Sequence, residues 1–301
     1  MLHITEEQVR QALPVRDCIE VLRDALSREY INIPRYRLKS DNSLLHVMSA
    51  SIPSLGVMGL KSYGASKAGT SFAVLLFDEK SGLLLSVLEA NALGQIRTGS
   101  ASGLATDLLA RKDARVGAVI GAGFQAETQL LAIDAVRDLQ EIRIFSRNPE
   151  KRKAFIEKMR GRARAALQEG TSAEYCVRGA DIVCTITSSS EPVVLGGWLK
   201  NGCHINAAGG NWVSKRELDE AAIRKCGFIC VDSREQARVE SGDLIPVVQD
   251  WKTLPELSDL LKGKTGRTAP EQITLFKSLG IAAEDVAAAN HVYRSVSGKR
   301  P

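Results

Sequence analysis

The stretch Val116–Glu127, VGAVIGAGFQAE, decides how the chain is read. Val116–Ile120 is a short apolar run with the length and composition of a buried strand. Gly121-Ala122-Gly123-Phe124-Gln125-Ala126 follows, and an amphipathic helical pattern extends over Glu127–Val136. The order is strand, glycine turn, helix. Gly121 permits the tight turn, Gly123 lets the backbone approach a pyrophosphate, and small Ala126 lets helix and strand pack closely. Free N–H groups at the helix start then face phosphates. A second strand, Ile142–Phe145, arrives at the distance a βαβ unit requires. The cofactor-binding candidates are therefore Gly121, Ala122, Gly123, Phe124 and Gln125.

The end of that second strand selects the dinucleotide. An NAD site places Asp or Glu there for the ribose 2′-hydroxyl. This chain has Ser146-Arg147-Asn148. Ser146 can hydrogen-bond a 2′-phosphate and Arg147 can pair with it, whereas a carboxylate would repel it. NADP(H) is the expected cofactor and NAD(H) the alternative.

Working outward, strands and helices alternate from Val116 to the end. The pattern predicts helix Pro149–Gln168, strands at Ile182–Ile186 and His204–Ala207, a helix near Lys215–Arg224, strand Phe228–Val231, helix Arg234–Ser241 and strand Ile273–Phe276. Such alternation means a doubly wound parallel sheet of the Rossmann type, an α/β fold. Before it, Thr5 is a helix N-cap and a second helix runs from Pro14 or Val15 to Tyr30. Strands are expected at Leu44–Ser49, Val57–Tyr63, Ser71–Phe77 and Leu83–Leu88, then a small-residue helix at Arg97–Ala110. Residues 1–112 are thus expected to form an N-terminal α+β substrate-side domain, 113–279 the dinucleotide domain, and a C-terminal helix within 280–301 to pack back on the first. Arg111–Arg115 is the expected hinge.

Composition narrows the class. With 301 residues the chain can bury a substantial core. No apolar run approaches the ~20 residues of a membrane span, and the polar, acidic start MLHITEEQVRQAL reads as neither signal nor transit peptide, so a cytoplasmic location is expected. The six cysteines form no CxxC and the four histidines lack zinc spacing, so no metal is expected. The densest basic stretch, Arg147–Arg164, has interleaved glutamates and no stacking aromatics, and reads as a solvated helix face rather than a nucleic-acid surface.

Three basic residues precede the glycine turn: Arg35 in IPRYRL, Lys61 in GLKSY and Arg97 in QIRTGSASG. Lys61 interrupts an apolar strand, so it either reaches water or points into a functional cleft. Arg97 and Thr98 stand at what reads as a helix start lined with small residues, a place that favours an anion. Thr187 follows the Ile182–Ile186 strand, where ligand contacts concentrate in open parallel sheets.

At these residues the chain resembles the ornithine cyclodeaminase/μ-crystallin family. IPRYRL, HVMSAS, GLKSY, QIRTGSAS, IGAGFQAE, SRNPEK, ADIVCTITSSSEPV, INAAGG with RELD behind it, VESGDL and ITLFKSLGIAAEDVAAA match in order. The resemblance implies a homodimer associating through its N-terminal units. It also implies that Arg35, Lys61 and Arg97 hold the carboxylate of an amino or imino acid beside the nicotinamide, with Lys61 as proton donor. Cyclodeaminases carry Asp where this chain has Asn211, and an acid where it has His46. A diamine substrate is therefore disfavoured at both positions. The implied activity is NADPH-dependent reduction of a small, cyclic imino acid. Ornithine or lysine cyclodeamination with bound NAD, alanine-type dehydrogenation, and non-catalytic crystallin-like binding are the alternatives.

Overall fold

Alternation of inward and outward residues along 31–89 builds five strands of a six-stranded sheet in the computed structural model, which describes residues 1–298. Its strands are β1 (Leu2–Ile4), β2 (Ile31–Lys39), β3 (Ser43–Ile52), β4 (Val57–Ser66), β5 (Gly69–Asp78) and β6 (Leu84–Glu89). The order is β1-β6-β5-β4-β3-β2, with β1 parallel to β6 and every other pair antiparallel. The four expected strands are present. β1 and β2 are additions. Pro34 argues against a strand in sequence, but β2 is an edge strand, where a missing N–H is tolerated, and its register shifts between Ile33 and Tyr36.

Helix α1 (Glu6–Ala12) starts at Thr5, whose side chain and Gln8 form a reciprocal capping box. Helix α2 (Val15–Ser27) buries Cys18, Ile19, Leu22, Ala25 and Leu26 on one face. Helix α3 covers Asn91–Leu109 and starts six residues earlier than its sequence suggests. Its first N–H groups, on Asn91 and Ala92, donate to the Glu6 carboxylate at 2.6 and 2.7 Å. That distant cap is invisible in the local sequence.

The glycine motif opens a seven-stranded, wholly parallel sheet: β7 (Val116–Ile120), β8 (Glu141–Phe145), β9 (Ala166–Glu169), β10 (Ile182–Thr185), β11 (His204–Ala207), β12 (Cys226–Val231) and β13 (Ile273–Lys277). The order β12-β13-β11-β10-β7-β8-β9 reverses between β7 and β10, the doubly wound arrangement in which ligands bind at the strands' carboxyl ends. Its helices are α4 (Phe124–Val136), α5 (Pro149–Met159), α6 (Ala173–Val177), α7 (Glu220–Lys225), α8 (Arg234–Glu240) and α9 (Leu257–Leu261). Two cores flank the sheet, one around Val119, Leu130, Ile133 and Phe155, the other around Val183, Ile205, Ile223 and Leu275. The helix expected over 149–168 is corrected: α5 stops at Met159, Gly161 turns with φ +78°, and the short edge strand β9 follows. The helix expected near Lys215–Arg224 starts only at Glu220, capped by Asp219.

The last helix, α10 (Ala282–Val296), belongs with the first sheet. It packs against β2 to β5 and against α1 and α2. Its alanines permit close approach; a Cβ added at Gly59 on β4 would stand 3.2 Å from Val286. The remainder of the expected 280–301 segment, residues 299–301, lies outside the described residues. The chain divides into a unit of Met1–Arg97 plus the segment from Gly280 onward, and a unit of Thr98–Leu279. The sequence placed the first boundary after residue 112. It falls inside α3 because Gly94 abuts Lys61 of the first unit, while Gly99 packs on Thr128 of the second. Among the described residues no helix is long and apolar enough to cross a membrane, and no cluster of His, Cys, Asp or Glu could hold a metal ion.

Candidate active site

In the first unit Lys61 sits on β4 with Met48 and Val74 as its lateral partners, both fully buried. The side chain is buried, 3% exposed. Its Nζ donates to Asp285 Oδ1 at 3.0 Å. Arg97, 6% exposed, donates through Nε to the same Oδ1 at 2.8 Å and through Nη1 to Glu284 Oε2 at 3.0 Å. Arg35 donates from Nη2 to the Gly280 carbonyl at 3.1 Å. The expected cations are thus gathered at one place, and α10 brings two carboxylates to them. Asp285 Oδ2 is buried and makes no hydrogen bond.

Glu284 and Asp285 were missed in sequence. The signal was present in AAEDVAAA: two adjacent acids in a stretch otherwise built of alanine and valine, both with zero exposure in the fold. Buried charges require partners, and Lys61 and Arg97 supply them here.

Burial, and after it the Arg97 charge, lower the Lys61 ammonium to about 8, with Asp285 pulling the other way. Burial also opposes the Arg97 charge, but Asp285 and Glu284 outweigh it and hold the guanidinium above its ordinary value. For Asp285, burial acts to raise the carboxyl; Arg97 and Lys61 prevail and keep it below the usual range. Lys61 is therefore poised to exchange a proton near neutrality.

His46 lies two residues before Met48 on the same face of β3. It stacks on Tyr63 with centroids 4.1 Å apart and planes 8° from parallel. Burial, then Arg37 and Arg35, push it down to about 4, so it is neutral at physiological pH. Lys61 Nζ is 5.9 Å from the Tyr63 ring centroid and 5.7 Å from that of Phe72. The first unit thus presents a cationic end and an aromatic, uncharged wall.

One expectation is corrected here. Arg97 and Thr98 do not stand at a helix start, since α3 begins at Asn91. Their backbone N–H groups are inside the helix, and the Thr98 carbonyl accepts from Gln129 Nε2 at 3.3 Å. What Arg97 presents is its guanidinium, not a helix terminus.

In the second unit the glycine turn has the shape a dinucleotide needs. Gly121 has φ +127°, and a Cβ there would collide with the Ile186 carbonyl. Its N–H donates to Phe145 O at 2.8 Å, tying the turn to the end of β8. Gly123 is the N-cap of α4, whose end no side chain caps, and the space its Cβ would take is empty. Gln125 Oε1 is buried without a hydrogen-bond partner. An open cradle, an uncapped helix start and an unmatched acceptor fit a pyrophosphate with its ribose hydroxyls. Ser146, Arg147 and Asn148 follow β8 as expected. Ser146 Oγ donates to Asn148 O at 3.2 Å, Asn148 caps α5 through Lys151 N, and Arg147 is exposed. Arg152, half-buried, holds the Ser146 carbonyl at 2.8 Å.

Thr187 follows β10, and its N–H donates to Glu217 Oε1 at 2.5 Å. The other oxygen of Glu217 accepts from Thr185 Oγ1 and Gly209 N, both at 2.8 Å. Asp243 accepts from the N–H groups of Glu217 and Leu218 and from Lys277 Nζ at 2.9 Å. Glu217, Asp243 and Lys277 are all buried. They fasten the segments after β10 and β11, at Thr187 and Gly209, to the end of β13. Asp243 belongs to this framework.

Residues 2–300 match the family described as Ornithine cyclodeaminase/mu-crystallin. Ketimine reductase mu-crystallin of Mus musculus is 37% identical over 225 residues, 75% of this chain and 69% of that protein. Delta(1)-pyrroline-2-carboxylate reductase of Bacillus cereus is 37% identical over 226 residues, 73% of this chain and 69% of that protein. The structure of Thermococcus litoralis Delta(1)-pyrroline-2-carboxylate reductase in complex with NADH and L-proline superposes with a TM-score of 0.93, at 31% identity, covering 99% of both chains. The chain belongs to the ornithine cyclodeaminase/mu-crystallin family.

Proposed function

We propose that this protein is a nicotinamide-dependent reductase of a small α-imino acid, a cyclic ketimine of the Δ1-pyrroline-2-carboxylate class being the best fit. The observation that carries it is the buried Lys61 ammonium, lowered to about 8 and flanked by Arg97 and Arg35, on a chain whose relatives reduce such imines. Arg35 and Arg97 bind the substrate carboxylate, a geometry guanidinium groups match with paired donors. Lys61 gives its proton to the imine nitrogen as the adjacent carbon is reduced. Glu284 and Asp285 hold Arg97 and Lys61 in place. The nicotinamide dinucleotide, when bound at the Gly121–Gln125 turn, supplies the hydride. Thr98, Thr187 and Asn211 are further contacts of this reading, and His46 with Tyr63 lines the space for the ring.

The 2′-phosphate preference rests on Ser146 and Arg147, which leave no carboxylate at the end of β8. A homodimer is supported by the outer face of the first sheet. Ile31, Ile33 and Leu45 are 61%, 54% and 40% exposed there, beside a shallow apolar cavity of about 400 Å³ lined by Met58, Leu60 and Phe77. A second copy of that face would cover it.

A panel of imino acids assayed with NADPH and NADH tests the reading. Turnover of Δ1-pyrroline-2-carboxylate or Δ1-piperideine-2-carboxylate supports it. No turnover of any imino acid, or release of ammonia from ornithine with no net change in the nicotinamide, would overturn it.

A further inference from the structure

We propose that Asp285 is a positioning residue that sets the pH range over which Lys61 can donate its proton; this rests on the reductase reading above. The geometry is specific. One carboxylate oxygen, Oδ1, receives both Lys61 Nζ at 3.0 Å and Arg97 Nε at 2.8 Å, with all three side chains buried. The charged groups acting on Lys61 are Asp285 from α10, Arg97 from α3 and Arg35 from β2. Two of the three are cations, and burial also favours the neutral amine. Tyr63 and Phe72 add only ring faces. Asp285, by its charge and its hydrogen bond, acts against the cations and burial and favours the protonated ammonium. Glu284, one residue away, accepts from Arg97 Nη1 at 3.0 Å. The adjacent acids therefore have different tasks: Glu284 orients a guanidinium, and Asp285 fixes the proton affinity of the donor.

The arrangement also balances charge. Arg35, Lys61 and Arg97 against Glu284 and Asp285 leave one net positive charge, which one substrate carboxylate neutralises. Without Asp285 the donor would be neutral at the pH where the imine must be protonated.

The test is the pH dependence of kcat/KM for imine reduction, which reports the free enzyme's donor. Asp285→Asn is expected to move the alkaline limb down by about one unit or more relative to wild type. Glu284→Gln is expected to lower the rate while moving the limb less than half as far. Competitive acetylation of Lys61 across pH, read by peptide mass spectrometry, gives its protonation midpoint without any turnover. That midpoint should fall in Asp285→Asn by the same amount. It still tests the proposal if the wild-type protein reduces no imine, an outcome that would sink the reductase reading alone. Where the Asn variant fails to fold, Asp285→Glu keeps the charge, and its limb and midpoint should stay near wild type while kcat falls. Unchanged limb and midpoint in Asp285→Asn, equal shifts in both Asn and Gln variants, or a full-unit shift in Asp285→Glu would overturn the assignment.

Discussion

Gly280 is the seat of Arg97: a Cβ at residue 280 would lie 2.6 Å from Arg97 Nη1, and the backbone there has φ +77°. Its carbonyl also receives Arg35. One glycine thus admits two arginines, so Gly280→Ala is expected to act on the site as well as the fold. Left-handed backbone costs a non-glycine residue about 1–2 kcal/mol. The displaced guanidinium should raise the imino-acid KM roughly tenfold or more. Dinucleotide affinity should stay within about twofold, since Gly280 belongs to the other unit. Steady-state kinetics and a denaturant midpoint measure both halves.

Lys61→Ala removes the proton donor and leaves Asp285 paired with Arg97 alone. Loss of a general acid lowers turnover about 10²–10⁴-fold. NADPH affinity, followed by nucleotide fluorescence, should be nearly unchanged. Retained turnover would show that another group protonates the nitrogen.

The two glycines of the turn should fail differently. Gly121→Ala combines φ +127° with a collision at the Ile186 carbonyl, so the protein is expected to be destabilised by several kcal/mol. Gly123→Ala meets nothing within 4 Å and has an ordinary φ of −94°, so its melting temperature should hold. Its new methyl would stand where the pyrophosphate approaches, and dinucleotide Kd should rise at least tenfold. A stable, tight-binding Gly123→Ala would put the phosphates elsewhere.

Arg147→Ala tests the cofactor preference. The exposed guanidinium after β8 is expected to be the partner of a 2′-phosphate. kcat/KM with NADPH should fall about tenfold and that with NADH by less than threefold. A wild-type enzyme ten times better with NADH would refute the preference outright.

His204 gives the fold an acid limit. It is fully buried between Thr274 Oγ1 at 2.9 Å and Asn206 Oδ1 at 3.2 Å. Burial, then Arg267, push it down to about 3. The unfolded chain takes up a proton near pH 6.5 that the folded one refuses. Its contribution is therefore intact above about 6.5 and is lost as pH falls from there toward 3. His204→Gln should remove up to about 1.4 kcal/mol per pH unit from the slope of stability between pH 6 and 4. Urea midpoints at several pH values would show it.

Much of this molecule is local enough to read from its sequence. The glycine turn, the strands of the parallel sheet and Thr5's cap each depend on residues within a few positions of one another. Lys61 and Arg97 stood out because a charge in an apolar run needs an explanation. Other features escaped because their cause is remote. β2 is a strand only because β3 pairs with it, despite Pro34. The start of α3 depends on Glu6, some 85 residues earlier.

By itself the sequence determined the dinucleotide fold and the identity of the cations, because periodicity and turn chemistry are short-range properties. Only the tertiary structure decided that Glu284 and Asp285 balance those cations. Charge compensation in a buried site acts through space, at about 3 Å, between residues that lie 187 to 224 positions apart in the chain.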